Sequence, residues 1–404
     1  MIILVLNCGS SSLKYQVLDM KSNEDYSLKA KGLVERIGEK VGSITHTVIG
    51  QDKFIVEKPV PDHSAGIKDV LDLLLSADHG VLSSLDELDA IGHRVAHGGE
   101  FFSGSALVTA QAEADIEKCC ELAPLHNPAN LLGIRAVKQL MPAKPQVAVF
   151  DTSFHQTMPE YAYMYSIPYK FYEQYKVRRY GFHGTSHKFV AAKAAKFAGL
   201  DINNSKIITC HLGNGSSITA VKDGKSIDTS MGFTPVEGVT MGTRCGNLDA
   251  GAITYLVEKE GLDAAGLSKM LNKESGILAL SGISSDCRDI QTAADEGSAR
   301  ALMTQKVLGY GIKKYIGAYA AALNGVDLIV FTGGIGENSS STRANACHGL
   351  EYLGVDFDDQ ANAQIHGKDA YLSKPGSKVK VVVATTDEEL VIAQDTMAIV
   401  NNLK

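Results

Sequence analysis

The stretch IILVLNCGSSSLKYQVLD, residues 2–19, decides the fold because a second stretch, KIITCHLGNGSSITAVKDGK at residues 206–225, repeats its pattern. Each stretch is an apolar strand, a tight turn rich in Gly and Ser, and a second strand. A turn of this kind points backbone N–H groups and hydroxyls at one spot, which suits a phosphate oxygen. The repeat predicts a duplicated domain whose two phosphate loops face one nucleotide, as in a phosphotransferase or an ATPase.

The composition is that of an ordinary globular protein. The 404 residues give room for two or three domains, and 45% of them are hydrophobic. A net charge of −7 argues against a nucleic-acid or acidic-membrane partner. No apolar run approaches the ~18 residues of a membrane span, and the first one is too short for a signal peptide. Seven cysteines without a CxxC pair favour a reducing cytoplasm over a disulfide framework.

The order of strand and helix signals predicts an α/β fold with two domains. After the first hairpin, strand patterns recur at 43–49, 54–59, 90–96 and 146–150, with helices at 66–76 and 129–140. We place the first domain at residues 1–150 plus a returning C-terminal segment, 387–404. The second domain then covers residues 151–386, and includes the second copy of the hairpin.

The turn residues of the first hairpin are candidate phosphate ligands. Asn7 and the serine run 10–12 supply donors, and Lys14 points away from the apolar face of the second strand. The plain alternative is a polar hairpin with an exposed lysine. The second copy, His211–Ser216, favours the phosphate interpretation, because it repeats the same unusual turn.

Two arginines lie in short segments rich in small residues. Arg94, in GHRVAHGGE, shares a strand face with Gly92 and Ala96, which leaves room for a planar anion. Arg244 ends the glycine-bearing turn MGTR. A guanidinium suits a carboxylate or a phosphate, and phosphoryl transfer uses such groups. For Arg94 a surface salt bridge is an equal alternative, and for Arg244 the segment alone favours a surface arginine.

Asp151 and His183 stand where α/β folds place their ligands. Asp151 follows an apolar strand, and His183 precedes a helix N-terminus that Thr185 or Ser186 is expected to cap. A turn aspartate and a structural histidine are the alternatives. His183 and His187 are four residues apart, but the glutamate of HEXXH is missing, so we reject a zinc site.

The remaining candidates lie in the C-terminal half. Gly333–Asn338, GGIGEN, reads as a turn after a buried strand that lets the backbone approach a ligand, although an ordinary glycine-rich connection looks similar. Asp286–Arg288 reads as a loop pair. Thr386 and Glu389 are expected to form a capping box at the last helix, which leaves Glu388 for another task such as binding Mg²⁺. The alternative for Glu388 is a first-turn helix acid without a ligand.

Together these segments are too specific for coincidence, and the chain resembles the acetate and propionate kinase family from end to end. The motifs that carry the resemblance are LNCGSSSLKY, GHRVAHGGE, FDTSFHQTMP, YGFHGTSH, HLGNGSS, MGTR and FTGGIGEN. The resemblance implies an α/β fold of two duplicated actin-like (ribonuclease H-like) domains that close on ATP in a central cleft. It also implies a homodimer, which no residue pattern here predicts.

The resemblance assigns roles to matching positions. It implies an acceptor, acetate or another short-chain carboxylate, whose carboxylate is bound by Arg94. It implies a Mg²⁺ ion, replaceable by Mn²⁺, held by Asn7 and Glu388. The catalytic residues would be Asp151, His183 and Arg244. The alkyl group of the acceptor would lie among Ala96, Leu125, Phe182 and Pro235. The ATP or ADP site would comprise Lys14, His211, Leu212, Gly213, Asn214, Gly215, Asp286, Cys287, Arg288, Gly334, Ile335, Gly336, Glu337 and Asn338.

Chemistry limits the role of Asp151. A carboxylic acid is already ionised at pH 7, because carboxyl pKa values lie near ~4. No general base is needed, so Asp151 is expected to orient an arginine or Mg²⁺ rather than remove a proton. The demanding task is to bring two anions together, which calls for the cationic groups around the site. We therefore hypothesise direct in-line transfer of the γ-phosphoryl of ATP to the carboxylate, giving an acyl phosphate.

Three other functions fit parts of the pattern. Propionate kinase activity is the near alternative, since acetate-preferring members often carry Val at the position of Ala96 and the smaller side chain enlarges the pocket. A non-catalytic nucleotide switch of the same fold would need the phosphate loops but not Arg94, His183 and Arg244. An ATP hydrolase would turn over without any carboxylic acid.

Overall fold

The two repeated hairpins lie in two different units of the computed structural model, which describes residues 1–403. Unit 1 comprises Met1–Phe154 together with the chain from Asp387 onwards, and unit 2 comprises His155–Thr386. The sequence predicts the two domain boundaries after residues 150 and 386. Among residues 1–403, no helix combines the length and the apolar character that crossing a bilayer demands.

The sheet of unit 1 grows outward from the first hairpin. Its strands are β1 (Ile2–Cys8), β2 (Ser12–Met20), β3 (Tyr26–Glu35), β4 (Gly42–Val48), β5 (Phe54–Lys58), β6 (Leu88–Val95), β7 (Ala106–Leu107) and β8 (Gln146–Phe150). Their order is β5-β4-β3-β2-β1-β6-β8-β7. Neighbours from β1 to β5 pair antiparallel, whereas β6 pairs parallel with β1, and β8 pairs parallel with β6. The sequence did not predict β3, because only scattered positions of this strand are buried.

Helices cover both faces of this sheet. They are α1 (His63–Leu74), α2 (Ala110–Lys118), α3 (Asn127–Leu140), the C-terminal helix (Glu388–Asn401) and a 3₁₀ turn at Leu85–Glu87. Apolar side chains of α1 and α3 pack on those of β1 and β2 in one core. The C-terminal helix lies so close to β6 that a Cβ on Gly92 would stand 2.5 Å from Thr396 Oγ1. Gly92 therefore permits this helix to approach, and the same strand face carries Arg94.

The sheet of unit 2 is built from the second hairpin. Its strands are β9 (Lys206–Leu212), β10 (Ser216–Lys222), β11 (Lys225–Thr229), β12 (Leu328–Thr332), β13 (Ala370–Tyr371) and β14 (Lys380–Val383). Their order is β11-β10-β9-β12-β14-β13. The helices are α4 (Glu160–Tyr163), α5 (Lys170–Tyr175), α6 (Gly184–Phe197), α7 (Ala250–Glu260), α8 (Ala264–Lys273), α9 (Gly276–Ser281), α10 (Cys287–Asp295), α11 (Ala299–Ala322), α12 (Gly333–Asn338), α13 (Ser340–Cys347) and α14 (Asp359–Gln364). Further 3₁₀ turns lie at Ser153–Thr157, Ile202–Asn204 and Glu351–Leu353.

The two sheets share one strand pattern. In unit 1 the run β3-β2-β1-β6-β8 has two antiparallel pairs followed by two parallel pairs. In unit 2 the run β11-β10-β9-β12-β14 repeats the same directions. The duplicated α/β fold predicted from the two hairpins is confirmed. In both sheets the central parallel strands end beside the turn of the hairpin, at the edge where α/β folds bind ligands.

Two predicted helix caps are wrong. Helix α6 begins at Gly184, so its N-cap is His183, with a left-handed φ of 56°, rather than Thr185 or Ser186. Ser186 lies inside the helix and its hydroxyl contacts His211 Nδ1 at 2.8 Å. At the C-terminal helix the cap is Asp387, whose carboxylate accepts from Leu390 N at 3.0 Å. The predicted capping box fails because tertiary partners, which local sequence does not show, take the polar side chains.

Candidate active site

In unit 1, three side chains meet at the carboxyl ends of the parallel strands. Arg94 near the end of β6 donates from Nε to Asp151 Oδ1 at 2.9 Å and from Nη2 to Asp151 Oδ2 at 2.6 Å. Asp151 follows β8 and is 4% exposed. Arg94 Nη1 donates to the amide oxygen of Asn7, on β1, at 3.2 Å. The negative charge of Asp151 raises the pKa of Arg94 above its ordinary value, so the guanidinium stays charged.

This geometry refines the expected role of Arg94. One bidentate side of the guanidinium is taken by Asp151, which fixes the plane and direction of the group. A guanidinium carries five N–H donors, and these three hydrogen bonds leave its outer edge for a further acceptor. The Arg94 side chain is 27% exposed, so that edge is accessible. Asp151 is placed to orient the arginine, because both of its carboxylate oxygens accept hydrogen bonds from the guanidinium.

The C-terminal helix brings two glutamates to this cluster. Burial raises the pKa of Glu388 to about 7, and the charges of Asp151 and Glu389 add to this, whereas Arg94 and Lys14 oppose it. Glu389 forms an ion pair with Lys14 instead of capping the helix. The two adjacent acids are thus distinguished by their partners, since Glu389 is neutralised by a lysine and Glu388 is not.

The residues at this end of the sheet fit a hard divalent cation. Glu388 supplies a carboxylate and Asn7 an amide oxygen, which are the donor types that Mg²⁺ prefers. Among residues 1–403, no cluster of three or more His, Cys, Asp or Glu side chains is arranged to hold a metal ion.

The other predicted residues of unit 1 surround the cluster. Lys14 lies opposite Asn7 in the register of β1 and β2, and its side chain is 50% exposed. Ala96 is buried, and its N–H donates to Asn130 Oδ1 at 3.0 Å. Leu125 is largely exposed. In unit 2, Phe182 packs in a small buried cluster with two methionines.

In unit 2, His183 and Arg244 line one gap at the second hairpin turn. His183 Nδ1 lies 2.9 Å from Ser217 Oγ, and its ring stacks on His211 with centroids 4.2 Å apart. A Cβ built on Gly215 would stand 3.1 Å from Arg244 Nη1 and 3.5 Å from His183 Nε2. The missing side chain of Gly215 therefore leaves a space that two nitrogen donors share, which suits an anionic oxygen.

The loop before Arg244 carries the predicted acceptor residue Pro235. Arg244 Nη1 donates to the carbonyl of Pro235 at 3.3 Å. Arg179 also holds this loop, because Arg179 Nη2 donates to Glu237 Oε1 at 2.5 Å. Arg244 is thus positioned by a loop that a partly buried ion pair supports.

Unit 2 also contains a cavity of about 940 Å³, large enough for a nucleotide. It is lined by Gly213, Asn214, Ser285, Asp286, Cys287, Arg288, Gln291, Gly334, Ile335, Asn338, Ser339, Ser340, Ser341 and His366. The predicted loop pair Asp286–Arg288 is the start of α10, with Asp286 as its N-cap. Hydrogen bonds from Arg288 lower the pKa of Asp286 to about 2.

The glycine-rich segment at the cavity is a helix rather than the open turn expected. Helix α12 spans Gly333–Asn338 directly after β12. Gly333 has a φ of 75°, and a Cβ there would stand 2.7 Å from the carbonyl oxygen of Leu212. Glycine is required at this position for both reasons. The N–H of Gly333 donates to Glu337 Oε1 at 3.1 Å, and Gly334, Ile335 and Asn338 of this helix line the cavity.

Comparison with known proteins shows the family of the chain. The profile of the acetokinase family matches residues 2–394. The chain belongs to this family. It is 54% identical over 399 residues to the acetate kinase of Phocaeicola vulgatus, with 99% of each chain covered. The structure of an acetate kinase from Porphyromonas gingivalis matches with a TM-score of 0.95 and 49% identity, covering 100% of both chains. A propionate kinase structure from Francisella tularensis matches with a TM-score of 0.90 and 40% identity, covering 98% of this chain and 99% of that one.

Some residues that the family resemblance placed at ATP do not line the cavity in the described part of the chain. Lys14 belongs to unit 1. Glu337 faces inward, where Oε1 accepts from the N–H groups of Gly333 and Thr386, both at 3.1 Å. The others are His211, Leu212, Gly215 and Gly336. Glu337 therefore supports the cavity wall by holding the first residue of α12.

Several cavity residues were not found by sequence reasoning. They are Ser285, Gln291, Ser339, Ser340, Ser341 and His366. The serine run after the GGIGEN motif was a usable signal, because hydroxyls next to a phosphate-type turn are donors. Gln291 and His366 had no signal, since each reaches the cavity only through the packing of a helix or loop.

Proposed function

We propose that the chain transfers the γ-phosphoryl group of ATP to acetate and gives acetyl phosphate and ADP in a reversible reaction. The observation that carries this proposal is the guanidinium of Arg94. One of its edges is fixed by Asp151, and the side chain is 27% exposed, which leaves the outer edge for a ligand. Such a group recognises a small carboxylate by a paired hydrogen bond. Membership of the acetokinase family and the names of its relatives support acetate as the acceptor.

The acceptor needs orientation rather than deprotonation. A carboxylate is ionised at neutral pH because carboxyl pKa values lie near ~4. Both oxygens of Asp151 accept hydrogen bonds from Arg94, so the aspartate orients the guanidinium instead of acting as a base. Arg94 then holds the acetate oxygens so that one of them attacks phosphorus.

The transferring phosphoryl group needs cationic and hydrogen-bond donors around its equatorial oxygens. In unit 2, His183 Nε2 and Arg244 Nη1 share the gap beside Gly215 and can serve those oxygens. The nucleotide occupies the cavity bounded by Asn214 and α12. Mg²⁺, bound through Glu388 and Asn7, supplies neutralisation of phosphate charge when present. The proposed step forms the bond from the acetate oxygen to phosphorus as the bond to the ADP oxygen breaks.

Propionate is a second candidate acceptor. Ala96 follows the strand that carries Arg94, is buried, and is smaller than the Val that the family resemblance places there in acetate-preferring members. The Francisella tularensis relative described as a propionate kinase is 40% identical to this chain. A smaller side chain beside the carboxylate clamp leaves space for one more methylene group.

We also propose a homodimer in a reducing, cytoplasmic compartment. The family resemblance supports the dimer, as do strongly exposed aromatic residues such as Tyr161, which is 89% exposed. The cysteines are free, which suits a reducing compartment. Light scattering on a gel-filtration column is expected to give twice the mass of one chain. A monomer at micromolar concentration would contradict the dimer.

A coupled assay tests the function directly. ADP formation is measured with acetate, propionate or butyrate, each with and without Mg²⁺, and the acyl phosphate is trapped with hydroxylamine. We expect turnover that depends on both the acid and Mg²⁺, with acetate and propionate accepted and butyrate poor. Turnover without any acid would indicate an ATP hydrolase, and nucleotide binding without turnover would indicate a nucleotide switch.

A further inference from the structure

Ser217 on β10 joins two histidines in the interior of unit 2. Its side chain is fully buried, and its Oγ lies 2.9 Å from His183 Nδ1 and 2.7 Å from His187 Nε2. The other nitrogen of His187, Nδ1, lies 2.7 Å from Thr209 Oγ1 on β9. The four side chains form a continuous hydrogen-bonded row from Thr209 through His187 and Ser217 to His183.

His187 in the middle of the row is neutral. It is fully buried, and burial lowers its pKa well below the ordinary value, with a further contribution from the neighbouring His155 and His211. A neutral imidazole has one N–H donor and one acceptor nitrogen. Each histidine nitrogen in the row therefore accepts or donates according to the hydroxyl beside it.

Proton counting gives the row one arrangement that serves phosphoryl transfer. The Thr209 hydroxyl donates to His187 Nδ1, and His187 Nε2–H donates to Ser217 Oγ. Ser217 then donates its own proton to His183 Nδ1, so Nδ1 is the accepting nitrogen and the ring proton of His183 lies on Nε2. This is the nitrogen that shares the gap beside Gly215 with Arg244.

The backbone adds a second constraint on the same histidine. His183 has a φ of 56°, a left-handed conformation that is strained for a residue with a Cβ. Such strained positions persist where surrounding contacts fix the residue, and they cluster at functional sites. The Ser217 hydroxyl and the stacked ring of His211 are contacts of this kind.

We propose that Ser217 is a positioning residue for His183: its hydroxyl fixes the imidazole plane and keeps the proton on Nε2, where it donates to the transferring phosphoryl group. The inference rests on the proposed function for the last clause and on the hydrogen-bond geometry for the rest. Ser217 itself does not touch the substrate. Its effect passes through His183, so a variant changes the rate of transfer more than the binding of either substrate.

Three variants test the proposal kinetically. Ser217→Ala removes the hydroxyl and is expected to lower kcat ~10- to 100-fold, the usual loss when the partner that orients a functional imidazole is removed. KM for ATP and for acetate should change less than about threefold, because neither substrate contacts Ser217. Ser217→Thr keeps the hydroxyl and should recover most of the rate. Thr219→Val is the control, since it deletes a buried hydroxyl of the same strand that bonds Thr229.

Nitrogen NMR of protein labelled with ¹⁵N-histidine tests the tautomer without an assay. The His183 signals are assigned by their loss in His183→Asn. We expect the wild type to show a protonated Nε2 and an accepting Nδ1, and Ser217→Ala to change the Nδ1 shift. A folded Ser217→Ala protein with wild-type kcat would overturn the proposal, and so would a neutral His183 with its proton on Nδ1. Since the spectra need no turnover, they separate this inference from the proposed function.

Discussion

At the scale of single residues, the proposed function depends on the planar guanidinium of Arg94. The guanidinium uses one side for Asp151, and the proposed function assigns its outer edge to the acceptor carboxylate. A lysine at this position keeps the charge but lacks the fork, so the two residues are not interchangeable here.

Arg94→Lys is therefore expected to lower kcat/KM for acetate by ~100-fold or more, from the loss of a charge-assisted bidentate contact. KM for ATP should remain within about threefold, because the cavity lies in unit 2. The measurement is steady-state kinetics with each substrate varied. Arg135→Lys is the matched control, since Arg135 is an arginine of unit 1 that pairs with Glu113 on the surface. Equal losses in the two variants would contradict the role of Arg94.

Acceptor size is expected to respond to Ala96. Ala96→Val adds two methyl groups at a buried position that follows the strand of Arg94. Propionate efficiency should fall more than acetate efficiency, by a factor equivalent to ~1–3 kcal/mol, the usual value of one methylene in a pocket. The measurement is the ratio of kcat/KM for the two acids. Equal losses would remove Ala96 from the specificity of the enzyme.

Glu388 is expected to make stability depend on pH. Its pKa in the folded protein is about 7 against an ordinary value of 4.5, so folding favours its protonated form. Its ionisation therefore costs stability progressively as pH rises from about 4.5 to about 7, and the full cost remains above that range. Glu388→Gln removes the cost, so its urea midpoint without Mg²⁺ should exceed that of the wild type more at pH 8 than at pH 5. The same difference at both pH values would contradict the raised pKa.

At the scale of elements, the hairpin turns and the start of α12 position the hydrogen-bond donors of the candidate site. Apolar strands with glycine and serine turns could be read from the sequence because strand alternation and turn chemistry are local. The caps of α6 and of the C-terminal helix could not, because Ser186 and Glu389 are taken by His211 and Lys14 from distant parts of the chain. Local pattern gives the elements, whereas the polar partners of their ends depend on packing.

Gly333 at the start of α12 tests this level. Gly333→Ala places a Cβ at a φ of 75° and 2.7 Å from the carbonyl oxygen of Leu212. We expect destabilisation of ~1–3 kcal/mol and weaker ATP binding, since the strained conformation is lost or maintained at a cost. Thermal unfolding and calorimetric titration with ATP measure the two effects. Gly311→Ala in α11 is the control, because its Cβ meets open space and alanine stabilises a helix interior by ~0.5–1 kcal/mol. A Gly333→Ala protein with the stability and the ATP affinity of the wild type would contradict the requirement for glycine.

At the scale of the whole molecule, the same strand pattern occurs twice and carries two different sets of residues. In unit 1 the ends of β1, β6 and β8 place Asn7, Arg94 and Asp151 together, and Arg94 donates hydrogen bonds to the other two. In unit 2 the segments after β9 and β12 line the cavity, and β10 carries Ser217, which contacts His183. The duplication was predictable because the hairpin is a local pattern. The cavity residues Gln291 and His366 were not, since only tertiary structure brings them to the wall.

The central claim is direct transfer of phosphorus from ATP to the acceptor carboxylate, with no residue of the chain phosphorylated on the way. Neither Asp151, which is bidentate to Arg94, nor His183, whose Nδ1 contacts Ser217, is required as a nucleophile. The stereochemical course at a chiral, isotopically labelled γ-phosphoryl group tests the claim most directly. A single in-line displacement predicts inversion of configuration in the acetyl phosphate. Retention would show two displacements and a phosphoenzyme, and would contradict the account.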